Sequence, residues 1–196
     1  RLMIEQLLEY DKELFLFLNG LGTETWDGFW MVMTTTRNSA PLYLLLLYLS
    51  YRTFGWKGTG LILVSIALLI TCTDQLSNFF KYGIGRLRPC HDPEVSSAMR
   101  LVKSYCGGQF GYFSAHAANS YGPAIFFAVL FRNKVKYISW VLLLWACIVA
   151  YSRIYIGVHY PLDVITGAFL GSLFGWLWAK LAIFAFQKIG VLSQPL

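Results

Sequence analysis

Long apolar segments alternate with short polar ones along most of this chain. A helix needs roughly 20 apolar residues to cross the hydrocarbon core of a bilayer. Four segments come close to this length, namely residues 61–80, 113–131, 137–151 and 162–186. The last carries glycines at every fourth position, which lets a neighbouring helix approach closely; they are Gly167, Gly171 and Gly175.

A fifth segment, residues 26–51, is long enough to span but holds Arg37 and Pro41 near its middle. Because proline interrupts helices, we expect one bent span here, with Arg37 near an interface. Residues 2–18 alternate apolar and acidic patches, which is typical of an amphipathic helix lying at the membrane surface. A sixth span in that region is the alternative, and its acidic residues disfavour it.

These elements predict an all-α fold, a polytopic transmembrane bundle with five to six spans, an N-terminal amphipathic helix and one outer loop. We expect residues 1–196 to form a single membrane-embedded domain. The composition agrees, since only 13% of residues are charged, against about 25% in a soluble domain. The net charge of +6 is not arranged as a basic stripe with a nucleic-acid-binding motif, so no nucleic acid partner is expected.

Lysine and arginine in short loops mark the cytoplasmic side of a membrane protein. Here they lie in loops 52–57 and 132–136 and in the tail that begins with Lys188. Counting crossings from these loops places the opposite ends of the spans on the outer face. We therefore predict an integral membrane protein whose candidate site lies on the outer face.

Two of the four cysteines, Cys90 and Cys106, lie outside the spans in the outer loop 89–112. An oxidising compartment would allow them to form a disulfide. Sequence does not give the separation that a bridge requires, so the paired and the free state both stay open.

Charged and polar residues at the outer ends of the spans form three clusters. In the first, Lys81 and Arg88 lie about two helical turns apart; the alternative to an anion site is a basic patch against lipid headgroups. In the second, Ser114 is placed to cap an apolar helix with His116 in its first turn, where free N–H groups attract anions. The alternative there is an ordinary cap with a packed imidazole.

The third cluster, Arg153 with His159 and Asp163, is the most specific. His159 and Asp163 are four residues apart and would share one face of a helix. A carboxylate bound to one ring nitrogen fixes the tautomer and leaves the other nitrogen free to attack. The alternative is a buried ion pair that only holds helices together, but ionisable groups in a membrane are costly and favour a functional interpretation.

Together the clusters resemble the signature of the type 2 phosphatidic acid phosphatase superfamily. That signature is Lys, six residues, Arg-Pro; then Pro-Ser-Gly-His; then Ser-Arg, five residues, His, three residues, Asp. The first and third motifs match in full. The second matches by half, because Phe113 and Ala115 stand where the signature has proline and glycine.

The resemblance implies an integral membrane lipid phosphatase that works through a phosphohistidine. It also implies a place in the bacterial inner membrane, with the active site facing the periplasm. His159 would be the nucleophile, Asp163 would orient it and His116 would protonate the leaving oxygen. The residues implied to bind phosphate are Lys81, Arg88, Ser114, Ala115 and Arg153. No cofactor or metal is expected, because Lys and Arg supply the positive charge that a phosphoryl transition state requires.

The substrate would be a lipid phosphate in the surrounding membrane. Candidates are phosphatidylglycerol phosphate, phosphatidic acid, undecaprenyl diphosphate and the lipid A 1-phosphate. Two other functions stay open, a lipid phosphotransferase using the same covalent step and a non-catalytic protein that binds or translocates lipids.

Overall fold

The computed structural model describes residues 2–191, and the regular elements in that range are helices. The α-helices are α1 (Leu2–Gly20), α2 (Glu24–Thr34), α3 (Ala40–Ile84), α4 (Ala115–Phe131), α5 (Ile138–Tyr155) and α6 (Pro161–Lys188). Short 3₁₀ turns occupy Thr36–Ser39 and Pro89–His91. The predicted all-α fold is confirmed.

Helix α3 consists of two antiparallel arms. Gly55, at φ 64° and ψ −173°, leaves the helical region inside it. In a straight helix Tyr43 and Ile70 would lie about 40 Å apart, yet both line the same cavity. The chain therefore reverses at Gly55, within the loop 52–57 that was predicted to connect two spans.

The predicted bent span over residues 26–51 is wrong in detail. The chain breaks after α2, where Thr35 is extended and a 3₁₀ turn follows. Pro41 lies in the first turn of α3. At that position a backbone N–H has no acceptor within the helix, so proline, which lacks one, is tolerated. With 11 residues, α2 is about 17 Å long and too short to cross a bilayer. The spanning part begins at Ala40.

By length and composition, three helical segments of the described chain are able to cross a membrane: Thr36–Ile84, Ile138–Tyr155 and Pro161–Lys188. The first supplies two crossings because of the turn at Gly55. Helix α4 has 17 residues and lies among the other spans, packing on α3, α5 and α6. These elements give five crossings, within the predicted number.

Helices α4 and α6 form the closest contact of the bundle. A Cβ added at Gly171 would overlap the backbone of Ala118. Cβ atoms at Gly167 and Gly175 would overlap the carbonyl oxygens of Ser114 and Gly122, four residues before and after Ala118. The glycines of α6 therefore bring the two helix backbones together, as their spacing predicted. This contact sets the start of α4 beside the start of α6.

Three phenylalanines mark one end of the bundle. The ring of Phe54 stacks on those of Phe131 and Phe186, with centroids 5.8 and 5.0 Å apart. The turn at Gly55, the loop 132–136 and the end of α6 are therefore neighbours. These are the three places where lysine and arginine predicted a common side, and the polar clusters lie at the opposite end.

Helix α1 is anchored through one narrow face. Asp11, Phe15 and Asn19 follow each other at intervals of four residues and are buried. The Asn19 amide donates to the carbonyls of Ile154 and Tyr155 at 3.2 and 2.9 Å. The other side of α1 exposes large apolar side chains, namely Met3, Leu7, Tyr10, Leu14 and Phe17. Helix α1 thus lies across the ends of α5 and α6 and presents an apolar face outwards, as expected of an interfacial helix.

Candidate active site

The outer loop is pinned back onto the end of α3. Leu87 and Phe110 form an antiparallel bridge, and the Arg88 N–H donates to Gln109 O at 3.0 Å. The Arg88 Nε donates to Phe110 O at 3.2 Å. This pairing carries the chain from the first cluster directly to the second, so Arg88 is held next to the start of α4.

Within that loop, Cys90 and Cys106 are joined as a disulfide with Cα atoms 6.1 Å apart, a separation that disulfides span. His91 is exposed beside it, with Nε2 3.4 Å from Gly107 O. Among the described residues, these three side chains also come close enough to hold a metal ion. The bridge removes the thiolates that such an ion would need.

Ser114 caps α4 as the sequence predicts. Its Oγ accepts the N–H of Ala117 at 3.4 Å, and its own N–H donates to Asp163 O at 3.0 Å. Ala115 and His116 follow in the first turn. Phe113, at the position of the signature proline, is fully buried and packs 5.8 Å from the ring of Phe80. The half-matched motif therefore keeps a capped helix start, and its N-cap residue Ser114 is bonded to the backbone of Asp163.

A sharp turn after α5 returns the chain to Arg153. Gly157 has φ 85°, and a Cβ there would overlap Met99 and the Arg100 carbonyl. The Val158 N–H donates to Arg153 O at 3.1 Å. The turn therefore needs glycine, and it leads directly into His159, which is 2% exposed.

Asp163 is the most densely bonded side chain of the site. Its Oδ2 lies 3.4 Å from His159 Nδ1 and accepts the Tyr160 N–H at 3.0 Å. Its Oδ1 accepts from Arg86 Nη1 at 3.0 Å. The other end of the Arg86 guanidinium donates to Asp11 Oδ2 at 2.6 Å. The His159–Asp163 pair predicted from spacing is present, and it extends to a helix near the N-terminus.

The electrostatic setting favours a neutral His159. Burial lowers the pKa of this imidazole well below 6.5, and the positive charges of Arg153, Arg88 and Lys81 act in the same direction. Arg153 is itself buried, with Nη1 donating to Thr34 Oγ1 at 2.6 Å. Its Nε is buried and has no hydrogen-bond partner among the described residues.

The remaining predicted residues line two cavities beside this centre. Lys81 and Arg88 face an open cavity together with Gln109. His116 and Thr34 face a second cavity of about 200 Å³. The positive charges of Arg153 and Arg88 also act on His116. The structure therefore brings all three clusters to one end of the bundle.

Comparison with known proteins assigns the chain to a family. Residues 58–186 match the model of the PAP2 superfamily. This chain belongs to the PAP2 superfamily. It is 41% identical over 183 residues to the lipid A 4'-phosphatase of Bacteroides thetaiotaomicron, covering 92% of this chain and 80% of that protein. It is 33% identical to the lipid A 4'-phosphatase of Porphyromonas gingivalis, covering 93% and 77%.

Solved structures agree with this membership. The crystal structure of Aquifex aeolicus LpxE matches with a TM-score of 0.63 at 26% identity, over 86% of this chain and 93% of that one. The PAP2-type phosphatidylglycerolphosphate phosphatase of Bacillus subtilis matches with a TM-score of 0.70 at 18% identity, over 90% and 86%, which shows the shared fold. The predicted family, helical membrane fold and phosphatase class are confirmed.

Two residues around the PAP2 motifs were missed from sequence. Arg86 falls inside the first motif, where the sequence indicates only a third cation, offset from Lys81 and Arg88. For Asp11, the sequence predicts only a place among the acidic residues of an amphipathic helix. The signal in the sequence was the spacing Asp11–Phe15–Asn19, a polar and apolar stripe on the side of α1 that is now seen to be buried.

Proposed function

We propose that this PAP2 protein removes a phosphomonoester from lipid A, at the 4' position. Its similarity to two lipid A 4'-phosphatases over more than nine tenths of the chain carries this choice. The four lipid phosphates named from sequence included the lipid A 1-phosphate but not the 4'-phosphate. Lipid A 1-phosphatases of Porphyromonas gingivalis and of two Rhizobium species are also related, at 31% and 28% identity.

The proposed chemistry begins with a neutral His159. Its Nδ1 faces Asp163, so Nε2 carries the lone pair that attacks phosphorus. The bond from phosphorus to the sugar oxygen breaks, His116 donates a proton to that oxygen, and a phosphohistidine forms. Water then attacks the phosphohistidine, with His116 as the base, and releases inorganic phosphate.

The phosphoryl oxygens would be held by Lys81, Arg88 and Arg153, with the Ser114 hydroxyl and the Ala115 N–H at the start of α4. The unpartnered Nε of buried Arg153 supports this role. Charge spreads over three oxygens in the transition state, and fixed cations stabilise it most in a site that excludes water. We propose that these side chains replace the metal ion that many phosphoryl-transfer enzymes use.

A lipid substrate fits the surroundings of His116. The cavity that His116 lines shares Tyr43 and Ile70 with an apolar cavity of about 170 Å³ between the arms of α3 and α4. The two cavities support a path along which acyl chains reach the site from the bilayer. Because the basic loops 52–57 and 132–136 lie at the other end of the bundle, we propose a periplasmic site in the inner membrane. We also propose that residues 1–196 form one domain.

The test is a phosphate-release panel with the purified protein in mixed micelles. The panel contains lipid A with both phosphates, undecaprenyl diphosphate, phosphatidylglycerol phosphate and phosphatidic acid, with His159→Ala as control. We expect release from lipid A, and mass spectrometry of the product should show loss of the 4'-phosphate. Release from another lipid with none from lipid A would contradict the substrate. In a parallel reaction the phosphate of the substrate carries ³²P. Transfer of this label to an acceptor lipid instead of water would favour the transferase.

A further inference from the structure

A chain of buried ion pairs joins helix α1 to the partner of the predicted nucleophile. Arg86 lies between two carboxylates, with Nη2 2.6 Å from Asp11 Oδ2 and Nη1 3.0 Å from Asp163 Oδ1. The side chains of Asp11 and Asp163 are 2% and 0% exposed, and that of Arg86 is 14% exposed. All three charges are therefore largely removed from water and depend on one another.

The orientation of Arg86 is tightly restricted. Its guanidinium carbon lies 4.3 Å above the centre of the Tyr160 ring, and the Tyr160 hydroxyl is held by Asp92 at 2.7 Å. A planar guanidinium stacked on a ring can present its donors only in the plane of the fork. The two terminal nitrogens of Arg86 donate to different carboxylates, Nη2 to Asp11 and Nη1 to Asp163.

Asp11 holds a second group of the same helix end. Its Oδ1 accepts the N–H of Leu162 at 2.9 Å, in the first turn of α6, where backbone N–H groups lack partners inside the helix. One carboxylate from α1 therefore fixes both Arg86 and the turn that carries Asp163. Helix α1 contributes to the geometry of the site although it lies more than 60 residues before the first PAP2 motif.

We propose that Asp11 and Arg86 are positioning residues for phosphoryl transfer, which hold the Asp163 carboxylate so that Oδ2 faces His159 Nδ1. The inference rests on the proposed function. Without Arg86, Oδ1 of Asp163 has no partner in the described structure, and the carboxylate is held only through Oδ2, by the Tyr160 N–H and the imidazole. Its orientation towards His159 is then less firmly fixed. Without the Asp11 charge, Arg86 loses one of its two ion pairs, and its guanidinium turns towards Asp163 alone.

A purely structural role is the competing explanation, since the same ion pairs also attach α1 to the bundle. The two roles separate in the kinetics. A positioning residue acts on the transition state, so its loss lowers kcat with little change in KM. A tether lowers the melting temperature and leaves the kcat of folded molecules unchanged.

Asp11→Asn is the most informative variant, because the amide keeps the shape and an oxygen for the Leu162 N–H but loses the charge that faces Arg86. We expect kcat for phosphate release to fall about tenfold, by analogy with the 10–100-fold losses that follow removal of the hydrogen-bond partners of metal ligands. KM should change less than about twofold. The matched control is Glu13→Gln, an exposed carboxylate on the same helix, which should keep wild-type kcat.

Arg86→Gln should lower kcat about a hundredfold, and Arg86→Lys should fall between it and wild type because lysine keeps the charge but not the fork. In the double variant, Asp11→Asn should add no further loss to Arg86→Gln, since the two residues act as one unit. If Arg86→Gln does not fold, Asp11→Asn and Arg86→Lys carry the test.

Melting temperature and gel-filtration profile are measured alongside. Wild-type kcat in folded Asp11→Asn, or independent losses in the double variant, would overturn the positioning role while the proposed function stands. A wild-type protein that releases no phosphate from any lipid would instead remove the proposed function itself.

Discussion

His159 Nδ1 lies 3.4 Å from Asp163 Oδ2, and both side chains are almost completely buried. The contact directs Nε2 away from the carboxylate. It also leaves Oδ1 of Asp163 to Arg86 at 3.0 Å, so the aspartate is held from both sides. An imidazole oriented in this way and kept neutral by its surroundings is suited to nucleophilic attack.

The first prediction concerns stability against pH. In the unfolded chain His159 titrates near 6.5, whereas burial and neighbouring cations hold its folded pKa well below that value. Below pH 6.5 the unfolded state therefore binds more protons, and the stability that the neutral ring contributes is lost as the pH falls towards the folded pKa. Between about pH 7.5 and 5, the melting temperature of wild type should fall more than that of His159→Gln. A constant difference between the two proteins would contradict the buried neutral ring.

The second prediction concerns His116 as the acid. His116→Ala should lower kcat for lipid A by roughly 10²–10⁴, the range typical of a lost general acid. The loss should be much smaller for a nitrophenyl phosphate ester, whose leaving group needs no proton. The comparison uses the rate at which the leaving group is released within the first turnover, before water attacks, because His116 is also proposed as the base in that later step. Equal losses on both substrates would assign His116 to binding or packing instead.

The third prediction concerns metal ions. Because Lys81, Arg88 and Arg153 are proposed to neutralise the phosphoryl oxygens, activity should be unchanged after dialysis against EDTA. Addition of Mg²⁺ should not raise kcat. An enzyme that loses turnover with EDTA and regains it with a divalent cation would show that these side chains are insufficient.

Whether a contact could be predicted from the sequence depends on how many residues separate its two partners along the chain. His159 and Asp163 are four apart, so the helical repeat alone places them together. The glycines of α6 and the basic loops likewise act through patterns that local spacing reveals. The Arg86–Asp11 contact joins residues 75 apart, and only the packing of α1 across the bundle creates it.

Rules based on local sequence also gave a wrong prediction where one residue type fits two backbone conformations. Pro41 predicts a bend, but proline is equally at home in the first turn of a helix, and there it begins the first arm of α3. Gly55 lies in the predicted loop 52–57, and the chain reverses at this single residue. Its φ of 64° combined with a ψ of −173° is accessible to glycine without strain.

The fourth prediction concerns the outer loop. A disulfide between Cys90 and Cys106, 16 residues apart, should contribute about 3 kcal/mol by restricting the unfolded chain. Dithiothreitol should therefore lower the melting temperature of wild type. The double variant Cys90→Ser with Cys106→Ser should melt like the reduced protein and not respond to the reductant. A reductant-insensitive wild type would argue for free thiols.

The fifth prediction is the covalent intermediate, which tests the central claim most directly. Lipid A carrying ³²P at the 4'-phosphate is mixed with the enzyme, the reaction is stopped in alkali within its first turnover, and the labelled peptide is mapped. We predict an acid-labile, alkali-stable label on His159, absent from His159→Asn. Release of phosphate by His159→Asn at the wild-type rate, with no label on the protein, would contradict the account.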